Sequence, residues 1–500
     1  MEEDFKKLLS DIQSYTTKSE DVDDVKKAWD FAKIAHFDVK RKNGESYLVH
    51  CLETAKELVD WKLDRDSIVA GILHDTVDHG AATYDDLEEN FGKVIADLVE
   101  GVTNVSFVKL KKDREEWYVE NLRKMFLAMA RDLRVVIIKI ASRIHNMKTL
   151  EPLSDDRKKH AAEETLEIYA PLAERLGMSE VKGKLEDLSF ACLYPEDYLR
   201  LSKEVNKAYK KSDLIMKQMR KELLNKFSKE GVNAKLQSRK KNLYSLWRKL
   251  QRPEIAGNLF LVHDIVAMRI LVDTEEKCYA TLGILHHLYK PVPNTGVSDY
   301  IAQPKPNGYR SIHTKVVGPG NKFVEVQIRT YQMHQEDEYG VAAHWYLSNL
   351  KNQGRVSSKD IDEGTKITVD TKKLYWVKQL ADWQKEIKDS KEFLEAVKFD
   401  ALSERIFVFS PKGDVYDLPL GATPVDYAFN VHTGLGFYIK DAKVNGKIVP
   451  LDYKLKSGDV VKIEKTKNIK KPNRDWLGFI KSTVARREIG KHFRNAQNSG

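Results

Sequence analysis

Residues able to do chemistry gather in three places. The first is "GILHDTVDHGA", Gly71 to Ala81, where His74 and Asp75 are adjacent and Asp78 follows. Read as a helix with Val69, Ile72, Leu73 and Val77 as its apolar stripe, the stretch crowds these three polar residues onto one face. An imidazole and a carboxylate from consecutive residues can both bind a divalent ion, and His50 in "SYLVH" lies about one helix earlier. A later stretch, "VVIIKIASRIHNMKTL", turns Ile137, Ile140, Ile144 and Met147 inward and leaves Ser142, Asn146 and Thr149 on its other face.

The second place is "KFVEVQIRT". In period two, Val324, Val326 and Ile328 point one way, and Phe323, Glu325, Gln327 and Arg329 the other. A carboxylate, an amide and a guanidinium in line suit a strand that floors a polar cleft. Asp264, at the entrance of the strand "HDIVAMRILV", is a second carboxylate able to hold Mg²⁺. Phosphoryl-type transfer needs such carboxylates, a metal and many cations, because its catalysis is mostly positioning and charge neutralisation. The third place supplies the cations. Arg239 and Lys241 precede a helix expected to begin near Leu243, and Lys305, Asn307, Tyr309 and His313 surround a Pro-Asn-Gly turn. Tyr309 offers an aromatic face to a purine, and Lys305 with His313 offers charge to its phosphates.

These groups need elements to hold them. The first roughly 195 residues repeat apolar positions at three and four, which predicts an all-helical domain. A charged helical connector is expected over 196–230, broken from the preceding helix near Pro195. After Gly231 strands alternate with helices, so residues 231–348 are expected to form a mixed-sheet domain. A polar loop and a helix should fill 349–402. Residues 403–466 then predict a small β-rich module, with a hairpin in "RIFVFSPKGDVYDLP" and a turn at Val444-Asn445-Gly446, and 467–500 begin a further helical region.

Composition bounds the rest. A chain of 500 residues exceeds one hydrophobic core, and its net charge of +9 is uneven. Residues 201–250 carry 15 Lys and Arg against 4 Asp and Glu, and residues 462–494 carry 11 against 3. Such bands suit phosphate-rich partners, nucleotides or RNA, although a solvated helix face has the same composition. Cys51, Cys192 and Cys278 have no zinc or disulfide spacing, which suggests a reducing compartment. The amphipathic, acidic N-terminus has no apolar signal core, so the expectation is a cytoplasmic protein.

His50, the His74-Asp75 pair and "RIHNMKTL" together resemble the hydrolase domain of the RelA/SpoT homologues, long proteins that make and degrade the alarmones ppGpp and pppGpp. "RKKNLYS", "HDIVAMRI", "PKPNGYRSIHT" and "EVQIRT" resemble the synthetase domain of the same family. "VFSPKGDVYDLPLGATPVDYAFNVHTGLG" resembles its TGS domain. The resemblance implies a multidomain α + α/β chain: an all-helical HD-type domain, a mixed-sheet nucleotidyltransferase-like synthetase domain and a β-grasp TGS domain.

By that resemblance Asp264 coordinates Mg²⁺, and Glu325 either shares the metal or helps to deprotonate the ribose 3′-hydroxyl of GDP or GTP. Arg239, Lys241 and Ser245 hold ATP, Tyr309 stacks on guanine, and Lys305, Asn307, His313 and Gln327 fix the acceptor. Pyrophosphate passes from ATP to that hydroxyl and AMP leaves. In the helical domain the resemblance implies nucleotide contacts from Arg41, Lys42, Tyr47, Asn146 and Thr149, and a Mn²⁺ site of His50, His74 and Asp75 completed by a carboxylate. Here Ser142 stands in place of that carboxylate, and Asp78 and His79 stand where the family has Glu-Asp, so a weakened metal site and an impaired hydrolase are expected. Gly296-Val297-Ser298 replaces a more basic segment before "DYIA". In the TGS domain His432 falls at the position that contacts deacylated tRNA on the ribosome. Two rival readings remain: a Mn²⁺-dependent (p)ppGpp hydrolase or bifunctional enzyme, and a non-catalytic tRNA or ribosome sensor.

Overall fold

The computed structural model describes residues 1–16, 18–106, 114–253, 255, 257–258, 266–293, 295–305, 308–342, 393, 397, 405–466 and 472–498. Asp264, Asn307 and nearly all of 349–402 therefore lie outside the described residues. What is described falls into two compact units, one drawn from 1–109 and 124–371, the other from 110–123 and 372–500.

The larger unit begins with helices α1 (Glu2–Gln13), α2 (Ser19–Ala35), α3 (Tyr47–Asp60), α4 (Arg65–Leu73), α5 (Tyr84–Phe91), α6 (Lys93–Ser106), the part of α7 (Arg114–Arg131) from residue 124 on, α8 (Arg134–Lys148), α9 (Asp155–Glu164), α10 (Ala170–Arg175) and α11 (Ser179–Leu193). Helix α8 buries Val135–Ile138, Ile140, Ala141, Ser142, Ile144, His145 and Met147, nearly every face, so it is the centre around which α3, α4, α6 and α11 pack. Asp64 caps α4 by accepting from the Ser67 backbone N–H. At Gly71 on α4 a side chain would put its Cβ 2.4 Å from Leu58 Cδ1 of α3. The missing Cβ lets those two helices close, and they carry His50 and His74.

The expected helix across Asp75 and Asp78 does not form. Helix α4 ends at Leu73, and residues 74–80 are turns. The side chains explain the stop: Thr76 Oγ1 donates to the Leu73 carbonyl at 2.7 Å, and His74 Nδ1 sits 2.8 Å from the Gly71 carbonyl. Both hold the last carbonyls of the helix, so the polar residues are placed by turn geometry and not by a common helical face.

Helix α12 (Pro195–Lys229) follows after a break, with Pro195 in its first turn, where its missing N–H costs nothing. Then come β1 (Ala234–Lys240), α13 (Leu243–Leu250), β2 (Val266–Val272), α14 (Glu275–Leu288), β3 (Ser298–Asp299), β4 (Ile312–Gly318), β5 (Lys322–Thr330) and α15 (Tyr331–Tyr339). The sheet order is β1-β2-β5-β4-β3, with β2 parallel to β5 and the other pairs antiparallel. Its apolar face joins Met268, Ile270, Val324, Val326, Ile328, Ile312 and Val316 to Met219, Leu223 and Phe227 of α12 and Leu285 of α14. The opposite face carries Arg239, Arg269, Gln327 and Glu325, aligned by register as Arg239 opposite Ala267, Ala267 opposite Glu325 and Arg269 opposite Gln327. The period-two reading of "KFVEVQIRT" holds residue for residue.

The smaller unit contains the expected hairpin β6 (Arg405–Phe409) and β7 (Val415–Pro419), and a second sheet of β8 (Ile439–Val444), β9 (Lys447–Val449) and β10 (Val461–Lys465) in the order β10-β8-β9. Asn445 and Gly446 both have positive φ, 51° and 80°, as a tight hairpin turn demands. Helix α16 (Pro424–Val431) starts with a Thr423/Asp426 capping box. Asp426 also accepts the backbone N–H groups of Lys481 and Ser482 at 2.9 and 2.6 Å, which ties Trp476, Ile480, Ala485 and Ile489 into a core with Val425, Phe429 and Ile439. Among the described residues no helix is long and apolar enough to cross a membrane.

The helical bundle meets the sheet where α15 ends. Gly340 (φ 54°) brings its backbone against Leu176–Met178, and Val341 N–H donates to the Leu176 carbonyl at 2.9 Å. A Cβ at position 340 would lie 2.0 Å from Leu176 O. Gly340→Ala is therefore expected to cost about 2 kcal/mol or more. It should lower the thermal unfolding midpoint by several degrees in a scanning-fluorimetry comparison, and an unchanged midpoint would refute this close approach.

Candidate functional site

In the helical bundle, His50, His74 and Asp75 bring their donor atoms within 4.8 Å of one another, all three residues buried. His50 Nε2 lies 3.2 Å from His74 Nε2 and 3.5 Å from Asp75 Oδ2, and His74 Nε2 lies 3.3 Å from the same oxygen. Ser142 Oγ stands 3.2 Å from both imidazole nitrogens.

The surroundings dictate the tautomers. Arg41 Nη1 lies 2.8 Å from His145 Nδ1, and a guanidinium only donates, so that nitrogen carries a lone pair. His50 Nδ1, 2.9 Å from the same atom, must then be the protonated nitrogen, which leaves the lone pair of His50 on Nε2. His74 Nδ1 faces the Gly71 carbonyl, which only accepts, so His74 too keeps its lone pair on Nε2. Burial first, and neighbouring cations or imidazoles after it, hold His50 and His74 below the usual histidine range and His145 down at about 4, so these rings are neutral. Burial works against the Asp75 charge, but the Lys139 ammonium and the Tyr47 hydroxyl oppose burial and favour the carboxylate.

Two imidazole lone pairs and a carboxylate thus converge on one point with the Ser142 hydroxyl beside both rings, and one hydroxyl donates to only one partner at a time. Their spacing matches the edges of a shell whose donors sit about 2.1 Å from a common ion. The donor set fits a divalent transition metal with two histidines and one carboxylate, while Ser142 offers a neutral oxygen in the fourth direction.

Around this centre, Arg41 also donates to Asn146 Oδ1 at 2.6 Å and packs over Tyr47, 5.8 Å from its ring centre. Thr149 caps α8, donating to the His145 carbonyl at 3.0 Å, and Lys42 is exposed. Asp78 lies outside the metal-facing group and interacts electrostatically with Lys139. His79 does not join the group either: its Nδ1 is 3.3 Å from His36 Nδ1 and its ring stands edge-on to Tyr47 at 4.2 Å.

On the sheet, two chains of polar contacts end at one carboxylate. Arg239 Nη1 donates to Gln327 Oε1 at 3.3 Å, and Gln327 Nε2 donates to Glu325 Oε1 at 3.2 Å. From the other side the Tyr309 hydroxyl meets His313 Nε2 at 2.6 Å, and His313 Nδ1 faces Glu325 Oε1 at 3.5 Å. Burial lowers the His313 pKa, with Glu325 opposing it. A carboxylate only accepts, so Glu325 is the receiving end of both chains. Lys305 Nζ lies 4.5 Å from the Tyr300 ring centre and 5.0 Å from that of Tyr309. Ser245, on α13, donates instead to Glu186 of α11 at 3.4 Å, and the Lys241 carbonyl accepts from Tyr209. Beside Arg239 opens a cavity of about 250 Å³, walled by Lys240 and Asn242, by Arg269 of β2, by Ser179 and Glu180 of α11, and by Asp337 and Glu338 of α15. His432 is remote from both sites in sequence and lies in the smaller unit, exposed, its Nδ1 accepting the Gly434 N–H at 2.9 Å.

Sequence reading missed His145, whose lone pair orients His50, although it sits inside the quoted "RIHNMKTL". It also missed Arg269, which strand alternation places opposite Gln327, and Glu338, which nothing local singles out.

The HD domain family matches residues 28–179, a region found in RelA / SpoT proteins matches 238–352, and the TGS domain matches 406–465. A GTP pyrophosphokinase of Myxococcus xanthus is 44% identical over 94% of this chain and 60% of its own length. A guanosine-3′,5′-bis(diphosphate) 3′-pyrophosphohydrolase of Aquifex aeolicus is 41% identical over 98% of this chain and 66% of its own. The bifunctional (p)ppGpp synthase/hydrolase SpoT of Escherichia coli is 40% identical over 98% of this chain and 67% of its own. The chain thus spans about two thirds or less of the length of these curated relatives. With its HD, RelA/SpoT and TGS regions in order and this identity along nearly all of its residues, the chain belongs to the RelA/SpoT family.

Proposed function

We propose that the sheet carries a (p)ppGpp synthetase, a GTP/GDP diphosphokinase that moves the β,γ-pyrophosphate of ATP to the ribose 3′-hydroxyl of GDP or GTP. The observation that carries this reading is Glu325, the receiving end of two donor chains, linked through Gln327 to the Arg239 that walls a cavity together with Lys240 and Arg269. The 3′-oxygen bonds to the β-phosphorus of ATP as the bond to the α-phosphate oxygen breaks, AMP leaves, and Glu325 accepts the hydroxyl proton. Asp264 and Glu325 would hold Mg²⁺, which would neutralise the charge of the transferring group. Arg239 and Lys241 attract the ATP phosphates, and Ser245 exchanges its Glu186 contact for them. Tyr309 stacks on guanine once Lys305 leaves its ring for the acceptor phosphates, with Asn307, His313 and Gln327 fixing that nucleotide.

In the helical bundle we read a guanosine-nucleotide pocket with impaired hydrolysis. Arg41, Lys42, Tyr47, Asn146 and Thr149 line the nucleotide side, while His50, His74 and Asp75 would hold Mn²⁺, which when bound supplies an activated water. Ser142 gives that ion a neutral oxygen where a carboxylate would bind far more strongly, and Asp78 and His79 lie outside the donor group. A second reading, retained hydrolysis in a bifunctional enzyme, is favoured by the convergence of three lone-pair donors described above. For the smaller unit, His432 and the basic band of 462–494 support contact with deacylated tRNA and the ribosome. The same features support the rival of a sensor without catalysis.

Incubation with Mg²⁺, labelled ATP and GDP should release AMP and form ppGpp, and Glu325→Gln should lower this rate by about 10²-fold or more. No product from the unaltered chain, even with ribosomes and deacylated tRNA, would leave the sensor reading. For the helical bundle, Ser142→Asp should tighten Mn²⁺ binding by about tenfold or more in calorimetry and raise Mn²⁺-dependent pyrophosphate release from ppGpp. Fast release without that substitution would establish the bifunctional reading instead.

A further inference from the structure

Arg329, near the end of β5, has no part in the transfer step, although its placement is costly. Its side chain is fully buried, at 0% exposure, and Nη1 donates to Asp337 Oδ2 of α15. Nε and Nη2 find no hydrogen-bond partner among the described residues. Buried N–H groups without acceptors cost stability, so an ion pair with Asp337 does not by itself account for a guanidinium here. The other group it approaches is an aromatic ring. Arg329 Cζ lies 5.7 Å from the ring centre of Tyr309, within the roughly 6 Å over which a cation is drawn to a π face.

Tyr309 thus has two cations beside it, and they differ in freedom. Lys305 is half-buried on a flexible stem and divides its ammonium between Tyr300 and Tyr309, at 4.5 and 5.0 Å, so it can leave. Arg329 cannot. Thr330, the next residue, caps α15 by accepting the Met333 N–H at 3.1 Å, which starts the helix directly after the strand. Two turns later that helix brings Asp337 back to the guanidinium. Asp337 is itself buried and accepts the Ser179 hydroxyl of α11 at 2.9 Å, so the anchor is held from a second side.

Resting on the reading of Tyr309 as the stacking partner of guanine, we propose that Arg329 is a positioning residue for the acceptor nucleotide, fixing the ring on which that base stacks. His313 holds the hydroxyl end of Tyr309 at 2.6 Å, and the guanidinium holds its face, so the ring is pinned at two points. A ring fixed before the acceptor arrives loses little freedom on stacking, and the acceptor binds more tightly for it. Burial raises the Tyr309 hydroxyl pKa, and the Arg329 charge is foremost among the groups opposing that rise, as a cation beside the ring requires. The donor phosphates are assigned to Arg239 and Lys241, so the effect of Arg329 falls on the acceptor.

The test follows AMP release and measures KM for GDP at saturating ATP and KM for ATP at saturating GDP. Arg329→Met alone would strand the buried Asp337 charge, so it is combined with Asp337→Asn and compared with Asp337→Asn alone. Against that reference, KM for GDP should rise by about tenfold while KM for ATP stays the same. Should the double variant fail to fold, Arg329→Lys keeps a cation for Asp337 but no planar group for the ring, and it should show the same selective rise in smaller measure. A purely structural role moves both KM values together or neither, and either result would overturn the inference. Tyr309→Leu separates the two readings, since it should raise KM for GDP at least as far. A rise there with none in the Arg329 variants would overturn the positioning role alone. An unchanged KM for GDP in Tyr309→Leu, or no AMP from the unaltered chain, would overturn the underlying reading and this inference with it.

Discussion

A guanidinium cannot accept a hydrogen bond, and much of the helical bundle is organised by that fact. Arg41 fixes the lone pair of His145, His145 fixes the proton of His50, and His50 is left with a lone pair aimed at His74 and Asp75. The Gly71 carbonyl does the same to His74 from the opposite side. Each step is a donor facing an acceptor, so the polarity of the centre is settled before any ion arrives. The closeness of α3 and α4 at Gly71 supplies the distance, and the early end of α4 supplies the angle.

The sheet uses the same logic with a different terminus. Gln327 passes on the donor character of Arg239, and neutral His313 passes on that of the Tyr309 hydroxyl, so Glu325 is oriented from two sides. Behind it, Arg329 and Arg269 are buried and matched by Asp337 and Glu338 of α15. Removing either partner of such a pair strands a buried charge, which is why a short helix following β5 matters more than its nine residues suggest.

Most of this architecture was legible because its rules are local. Period two in "KFVEVQIRT" is set by the strand backbone, and Asn445-Gly446 by the sign of φ. The all-helical start and the Pro195 break follow from spacing and from the missing proline N–H. The end of α4 was not legible: apolar periodicity runs on through Val77, and what stops the helix is a pair of side-chain bonds to its own carbonyls. The role of His145 depended on a partner 104 residues away, Arg41. Glu338 was invisible for a similar reason, since its partner Arg269 lies 69 residues away. Ser142, by contrast, is legible from residue type alone, and in the structure it touches both imidazoles.

The sheet register also governs which changes in chain length this fold can absorb. Strand β5 presents Glu325, Gln327 and Arg329 to one side and Val324, Val326 and Ile328 to the core. Deleting one residue within it would exchange the two sets and drive three polar groups among Met268, Ile270 and Phe227. The turn at Pro319–Asn321, exposed and already holding two residues at positive φ, has no such parity to protect. Length variation compatible with the fold should therefore collect in the turns, while strand β5 admits substitution but not insertion.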